Sequence, residues 1–310
     1  MVDFHGTPVA LSAKSNASSG VSKQVSISPT GAVVLSPYKY IDLRDYGFSE
    51  SASAATNTTA FTTALTAAQS AKVSIFLADG DYAIDNTVVT RVAHGSQISI
   101  FSNPGRGARL NKTTSDGNGL FQVGTATPTG YTALLRFSNI SFNGIAGNSA
   151  FAFRGYDMAR CMFDNCQFTA SLIGLDLKGG IGNSFYKCNI DGNTVGLNVK
   201  KYTGGYDGWP NLNTFDQCQI INNTEWGIDF DDGRMLIARA CDIEGNGTSG
   251  NASTGGVRSG ASAGSQGGLV SPGFQALSCW FEANAGNSAV QWAAGKTTLK
   301  EQSNLTGTNW

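Results

Sequence analysis

Several features that common protein functions depend on are scarce in this chain. Charged residues are 14% of 310 residues, and the 21 Lys and Arg nearly balance the 22 Asp and Glu. No excess positive charge is therefore present to neutralise nucleic-acid phosphates. Only two histidines occur, His5 and His94, and the six cysteines show no CxxC spacing, which disfavours a His-ligated metal site or a catalytic histidine. We expect no metal and no cofactor.

Long apolar runs are also missing. No run reaches the ~18 residues that a membrane span needs, so membrane insertion is not expected. Residues 1–20 contain no basic segment followed by an apolar stretch, which predicts synthesis in the cytoplasm without a signal peptide. The 41% hydrophobic content is nevertheless sufficient for a buried core and argues against a disordered chain.

The sequence has an internal repeat of the form Phe-x-x-(Ile/Cys)-x-(Phe/Ile). Successive copies of its fourth position are spaced by 26, 22, 30, 23 and 38 residues, at Ile140, Cys166, Cys188, Cys218, Cys241 and Cys279. A second column of like residues follows at Asn193, Asn223, Asn246 and Asn284. A third column is a small residue before an apolar-x-apolar segment, at Gly174, Gly196, Gly227 and Ala289.

A period near 22 residues with an Asn-rich turn is typical of one coil of a parallel β-helix, in which like residues stack ~4.8 Å apart. We therefore expect the Phe and Ile/Cys columns to form interior ladders. The thiols should be buried and free, because in-register Cβ atoms lie farther apart than the ~3.8 Å that a disulfide prefers. The Asn column is assigned to turns with a left-handed backbone, with amides hydrogen-bonded along the ladder.

The chain divides into three parts. Residues 1–37, rich in Ser, Ala, Val and Thr, form an N-terminal arm whose expected role is contact with other subunits or a larger assembly. Residues 38–300 form the β-helix, including an amphipathic helix at about 57–71 that Asn57 caps and that covers the open end of the first coil. Residues 301–310 are a C-terminal tail.

The segment before the repeats carries the order Asp45-Tyr46-Gly47, Asn57-Thr58, Ala60, Ala64, Ala68, Val73, Leu77, Asp79-Gly80, Tyr82 and Ile84. This order resembles the start of the pectate-lyase-like superfamily, and more narrowly that of bacteriophage tailspike proteins. The motif covers residues 41–84, and the resemblance spans roughly residues 38–300. It implies an all-β fold, a right-handed parallel β-helix with a capping helix, and a homotrimer in the virion tail. It also implies a host cell-surface polysaccharide as ligand, and virion tail proteins as partners of the arm.

A candidate site lies where one coil is expanded by residues 201–210. The position after the apolar-x-apolar segment carries Arg154, Lys178, Lys200 and then Asp231-Asp232 along the stack. Aromatic rings on a Gly-rich loop suit stacking on sugar faces. The predicted glycan contacts are Tyr202, Tyr206, Trp209, Glu225, Trp226 and Asp229, and the candidate acid and base are Asp207, Asp231 and Asp232. The alternative is structural: a salt bridge between Asp231 and Lys200, and an ordinary turn through Arg234.

Three functions remain open at this stage. The first is an adhesin that recognises a host surface glycan, and the second is a polysaccharide depolymerase, either hydrolase or lyase, on the same scaffold. The third is a non-enzymatic structural or adaptor fibre of the virion. Polygalacturonase-like motifs are absent apart from Asp231-Asp232, and little chain follows residue 300 for a further domain. Both observations favour binding over cleavage.

Overall fold

The structure is a computed structural model. It describes residues 22–27, 33–90, 97–105, 107–126, 130–202, 208–230, 233–248, 253–259, 265–266, 269–270, 273–285, 290–292 and 305–306. Most of the arm and most of the C-terminal tail lie outside these residues, as does Ala289 of the small-residue column.

Three long sheets wind around one core as a parallel β-helix. The strands of the first sheet are Ser22–Ile27, Val33–Asp42, Ser74–Phe76, Ile98–Phe101, Leu135–Ser138, Met162–Asp164, Ser184–Tyr186, Asn213–Asp216, Met235–Arg239 and Gly273–Leu277. The strands of the second sheet are Gly80–Ile84, Ala108–Lys112, Ile140–Asn143, Gln167–Thr169, Asn189–Asp191, Gln219–Ile221, Asp242–Glu244, Trp280–Glu282 and Leu305–Thr306. The strands of the third sheet are Val88–Thr90, Phe121–Val123, Phe153–Tyr156, Ile173–Lys178, Val195–Lys200, Trp226–Phe230, Gly255–Ser259 and Val290–Trp292.

Two short strand pairs lie outside the three sheets. Thr132–Ala133 pairs in parallel with Met158–Ala159, and Ser265–Gln266 pairs antiparallel with Leu269–Val270. At the N-terminal end Ser22–Ile27 and Val33–Asp42 form an antiparallel pair, and Val33–Asp42 then pairs in parallel with Ser74–Phe76. The first sheet therefore continues past the boundary expected at residue 37, because this strand crosses it.

The aromatic residues of the repeat stack on one another in the core. The rings of Phe137, Phe163, Phe185 and Phe215 form one column with successive centroid distances of 4.9, 4.6 and 4.4 Å and interplanar angles of 9°, 11° and 2°. These spacings match the ~4.8 Å between neighbouring strands. The repeat therefore sets the stacking of the core, as expected from the sequence.

All six cysteines are buried and free. Each thiol of the Ile/Cys column donates to backbone carbonyls, as Cys218 does to the carbonyl oxygens of Phe185 and Asp216 at 3.4 and 3.5 Å. Burial raises the pKa of Cys161 to about 12, so that thiol stays protonated. The prediction of an inward column of free thiols is confirmed.

The asparagine column is a buried ladder. Asn223 Oδ1 accepts from the backbone N–H of Asn193 at 3.1 Å, and Asn223 Nδ2 donates to the carbonyl of Ile190 at 3.2 Å and to Asn246 Oδ1 at 2.9 Å. The expected left-handed backbone is wrong for these asparagines. It falls one residue earlier, with φ of 67°, 54°, 62° and 51° at Gly192, Asn222, Gly245 and Ala283. The preceding residue makes the bend, so the amide is free to point inward.

The small-residue column is explained by this ladder. A Cβ added at Gly174 would lie 2.5 Å from Asn193 Nδ2, and one added at Gly196 would lie 2.6 Å from Asn223 Nδ2. Side chains larger than hydrogen at these positions would push the amides out of hydrogen-bonding distance.

A helix covers the N-terminal end of the core. A short 3₁₀ helix, Leu43–Tyr46, precedes the α-helix Ala54–Ala71, whose N-cap is Ser53, with its side chain accepting from the N–H of Thr56. The assignment of Asn57 as the cap is therefore wrong. Asn57 is buried inside the helix and donates to the carbonyl of Ala83, which ties the helix to the first coil.

Candidate functional site

The outward column of the third sheet differs from its predicted register. Arg154 pairs with Asp176, while Tyr156 pairs with Lys178. The placement of Arg154 directly below Lys178 is wrong by two residues, because Tyr156 ends the strand Phe153–Tyr156 at that corner. Lys178 and Lys200 are in register, as expected.

Asp229, a predicted glycan contact, is enclosed by cations. It is 4% exposed, its carboxylate is 2.5 Å from Arg258 Nη2 and 3.5 Å from Lys200 Nζ, and it lies in register with Asn198. The neighbouring Trp226 is only 3% exposed, with the Arg258 guanidinium 5.4 Å from its ring centroid. Neither side chain presents a surface to a sugar, because each is covered by its neighbours.

The remaining predicted contacts divide between exposed and undescribed residues. Glu225 is exposed, and Trp209 is partly exposed with Lys201 Nζ 4.2 Å from its ring centroid. Tyr202 packs edge-on against Tyr156 at 5.0 Å and donates its hydroxyl to the carbonyl of Ala126. Tyr206, Asp207, Asp231 and Asp232 lie outside the described residues, so the acid and base assignment stays a prediction.

A different groove lies on the outer face of the first sheet. We call it the first-sheet groove; it has a volume of about 460 Å³ and its lining includes Tyr40, Phe101, Arg136, Ser138, Asn139 and Asp164. The groove crosses five successive strands of the first sheet, from Val33–Asp42 to Met162–Asp164. The six residues named here lie on four of those strands and on the turn that follows Leu135–Ser138. At ~4.8 Å a strand, the groove runs about 19 Å along the helix axis.

One end of the groove is aromatic. Tyr40, Phe76 and Phe101 point outward and pack together with centroid distances of 5.8, 6.1 and 5.5 Å, and each ring is partly exposed. The inward neighbours Ile75 and Ile100 are buried in the core. The three rings are therefore not part of the core, and they form an apolar surface that is accessible to solvent.

The other end of the groove is polar. Arg136 Nη2 lies 3.6 Å from Asp164 Oδ2, and the two side chains are 51% and 39% exposed. Ser138 and the amide of Asn139 border this pair, and Asn139 Nδ2 donates to the carbonyl of Ser102 at 3.0 Å. The guanidinium therefore keeps donors directed at solvent, next to a carboxylate acceptor.

We also searched the part of the chain that the structure describes for metal sites, membrane spans and perturbed carboxyl groups. No group of three or more His, Cys, Asp or Glu side chains there is arranged to hold a metal ion. None of its helices is long and apolar enough to span a membrane. Burial and the nearby Glu282 raise the pKa of Asp242 on the outer face of the second sheet.

The comparison with family models identifies the class of protein. Residues 131–303 match the family described as the right handed beta helix region, so more than half of the chain is covered and the chain belongs to that family. It is therefore a right-handed parallel β-helix protein. No curated protein matches the sequence.

Solved structures share the fold at low sequence identity. The tailspike of Acinetobacter phage vb_AbaP_AS12 superposes with a TM-score of 0.62 at 10% identity, over 93% of this chain and 47% of that one. The tailspike of Acinetobacter phage vB_ApiP_P1 gives 0.53 at 18% identity, over 86% and 46%. The pectin methylesterase of Aspergillus niger gives 0.52 at 14% identity, over 76% of each chain. The chain thus spans about half the length of these two tailspikes.

Proposed function

We propose that this protein is a receptor-binding component of a phage tail that attaches to a host cell-surface polysaccharide through the first-sheet groove. The observation that carries the proposal is the combination, in one open groove, of the outward rings of Tyr40 and Phe101 with the Arg136–Asp164 pair. Phe76 packs against both rings. The outer face of a solenoid strand has no packing need for aromatic side chains.

The two ends of the groove match the two kinds of surface on a sugar. Aromatic faces bind the C–H faces of sugar rings by stacking, and partly exposed rings such as Tyr40 and Phe101 leave area for that contact. Arg136 offers several N–H donors and Asp164 two acceptor oxygens, which suits neighbouring hydroxyl groups. The length of about 19 Å, from strands ~4.8 Å apart, extends well beyond one sugar ring.

Binding is favoured over cleavage within this groove. Hydrolysis of a glycosidic bond ordinarily uses two carboxyl groups, and Asp164 is the only acidic residue among those that line the groove. A depolymerase would instead draw on the carboxylates Asp207, Asp231 and Asp232 predicted from the sequence, and the product assay below tests that alternative.

The assembly we propose follows the resemblance to tailspikes. The arm, residues 1–37, would join the protein to virion tail proteins, and three copies would assemble side by side. Deleting residues 1–37 should leave the β-helix folded and abolish incorporation into particles; normal incorporation would refute this role. A virion structural fibre without a glycan ligand remains the third alternative.

An array of bacterial polysaccharides, with the full chain as probe, tests the function directly. The expected result is retention on a narrow set of glycans, and absence of binding to all of them would favour the structural fibre. Phe101→Ala and Arg136→Ala should each weaken binding to the retained glycan. Loss of one stacked ring is worth about 0.5–1.5 kcal/mol, or roughly two- to tenfold in Kd.

Trp209→Ala is the matched control, because it removes a partly exposed ring at the other predicted site. If Trp209→Ala weakens binding and Phe101→Ala does not, the receptor site lies at the 201–210 loop and the first-sheet groove is refuted. Incubation with the same glycan separates the activities: new reducing ends alone indicate a hydrolase, and reducing ends with an unsaturated product indicate a lyase.

A further inference from the structure

A second hollow adjoins the first-sheet groove at the turn between the first and second sheets. We call it the turn pocket; it has a volume of about 260 Å³ and is bordered by Gly107, Asn139, Ser141, Asn165, Lys187 and Asn189. Asn139 lines both hollows. A chain bound along the groove therefore reaches the turn pocket without leaving the protein surface.

The backbone holds the walls of the turn pocket in place. Asn139, Asn165 and Lys187 occupy equivalent left-handed turn positions in successive coils, with φ of 58°, 52° and 50°. The N–H of Asn165 donates to the carbonyl of Tyr186 at 2.9 Å, and the N–H of Lys187 donates to that of Asp216 at 3.0 Å. The ladder of turns thus fixes the backbone position from which the Lys187 side chain projects.

Most of the polar groups in the turn pocket satisfy one another. Asn165 Nδ2 donates to Asn139 Oδ1 at 2.8 Å, and Ser141 Oγ donates to Gln167 Oε1 at 3.1 Å. Asn189 differs, because its Oδ1 atom is buried and has no hydrogen-bond partner. An acceptor of this kind is costly to leave unpaired, and rotation of the amide toward the turn pocket would let a hydroxyl donor from a ligand satisfy it.

Lys187 is the charged group of the turn pocket. Its side chain is exposed, its Nζ atom lies 5.1 Å from the ring centroid of Tyr186, and it forms no salt bridge with any carboxylate of the described residues. The nearby acidic side chains Asp164 and Asp216 are each within 4.0 Å of an arginine, Arg136 and Arg239 respectively. The turn pocket therefore presents one uncompensated positive charge.

We infer that the turn pocket receives an anionic substituent of the bound polysaccharide, so the ligand is an acidic glycan. Lys187 binds the anionic group, and the amide of Asn189, which borders the turn pocket, forms a hydrogen bond with a hydroxyl of the same sugar unit. This inference rests on the proposed function. The anionic group is a carboxylate or a phosphate, since both offer oxygen acceptors to an ammonium group.

The test uses the polysaccharide retained on the array, in three forms: native, carboxyl-reduced, and dephosphorylated with hydrofluoric acid. Native glycan should bind the unaltered chain, and one of the two treatments should weaken binding roughly tenfold or more by removing a charge-assisted contact. The treatment that does so identifies the anionic group. Lys187→Gln should weaken binding of native glycan to the same degree and should leave binding of the treated glycan unchanged.

Lys201→Gln is the matched control, since it removes a cation beside Trp209, after a strand of the third sheet and outside the turn pocket, and should leave the affinity unchanged. Asn189→Asp places a negative charge in the turn pocket, next to the anionic group of the ligand, and should abolish binding of the native glycan. If the native and both treated glycans bind equally, or if Lys187→Gln binds as tightly as the unaltered chain, the inference is overturned while the proposed function stands. Absence of any array signal overturns both.

Discussion

Replacing Asn223 by Ala is the sharpest perturbation of this fold. The side chain is fully buried, its Oδ1 atom accepts from the N–H of Asn193, and its Nδ2 atom donates to the carbonyl of Ile190. Alanine leaves both backbone groups without these partners in the buried interior. At about 1–3 kcal/mol for each unsatisfied buried group, the change should lower the free energy of unfolding by about 2–6 kcal/mol.

Asn222→Gly is the matched control for that measurement. Asn222 is exposed, has a φ of 54°, and donates through Nδ2 to Asp191 Oδ1 at 3.2 Å. Glycine accepts the same backbone angle and removes only a solvent-exposed hydrogen bond, so the loss should be below about 1 kcal/mol. Urea unfolding followed by circular dichroism compares the two variants. Equal losses in both would refute the view that the buried amides, and not the turn itself, stabilise the ladder.

Three further predictions follow from the same geometry. Gly196→Ala should destabilise the protein, because the new Cβ would lie 2.6 Å from Asn223 Nδ2, and a melting temperature equal to that of the unaltered chain would contradict this. Titration of the denatured, unreduced chain should find six free thiols, and recovery of fewer would show disulfides where the structure has none. Asp242→Asn should raise the melting temperature at neutral pH, because burial and Glu282 raise the pKa of Asp242 and so make its ionised form unfavourable in the folded state. That gain should vanish as the pH falls below the unfolded-state value of 3.8, where the carboxyl is protonated in both states, and a gain that is independent of pH would refute the explanation.

The fold was accessible from the sequence because its strongest signal is self-similarity. Equivalent positions such as Phe163 and Phe185 recur every 22 to 38 residues within the same short motif, and stacking the copies in register buries all of them. The column of small residues was visible in the same way. Its cause, the close approach of Gly196 to the amide of Asn223, depends on side-chain geometry and needed the structure.

The site was harder to predict, for two reasons. Where coils differ in length, the sequence does not fix which residues of neighbouring strands lie side by side. Arg154 is the example: a shift of two residues gives it Asp176 as its neighbour instead of the expected Lys178. The first-sheet groove is assembled from residues far apart in the chain, with Tyr40 preceding the helix and Phe101 following it. The available signal was an aromatic residue at an outward strand position, as Phe76 is beside the inward Ile75.

The ladders also determine how the molecule bears mechanical load. Hydrogen bonds between strands, as from Phe168 to Ile190 and on to Ile220, all point along the axis of the β-helix. Tension along that axis loads the three sheets, the phenylalanine column and the asparagine ladder at the same time at every boundary between coils. Pulling the two ends of the β-helix apart would therefore require one whole coil to separate from the next.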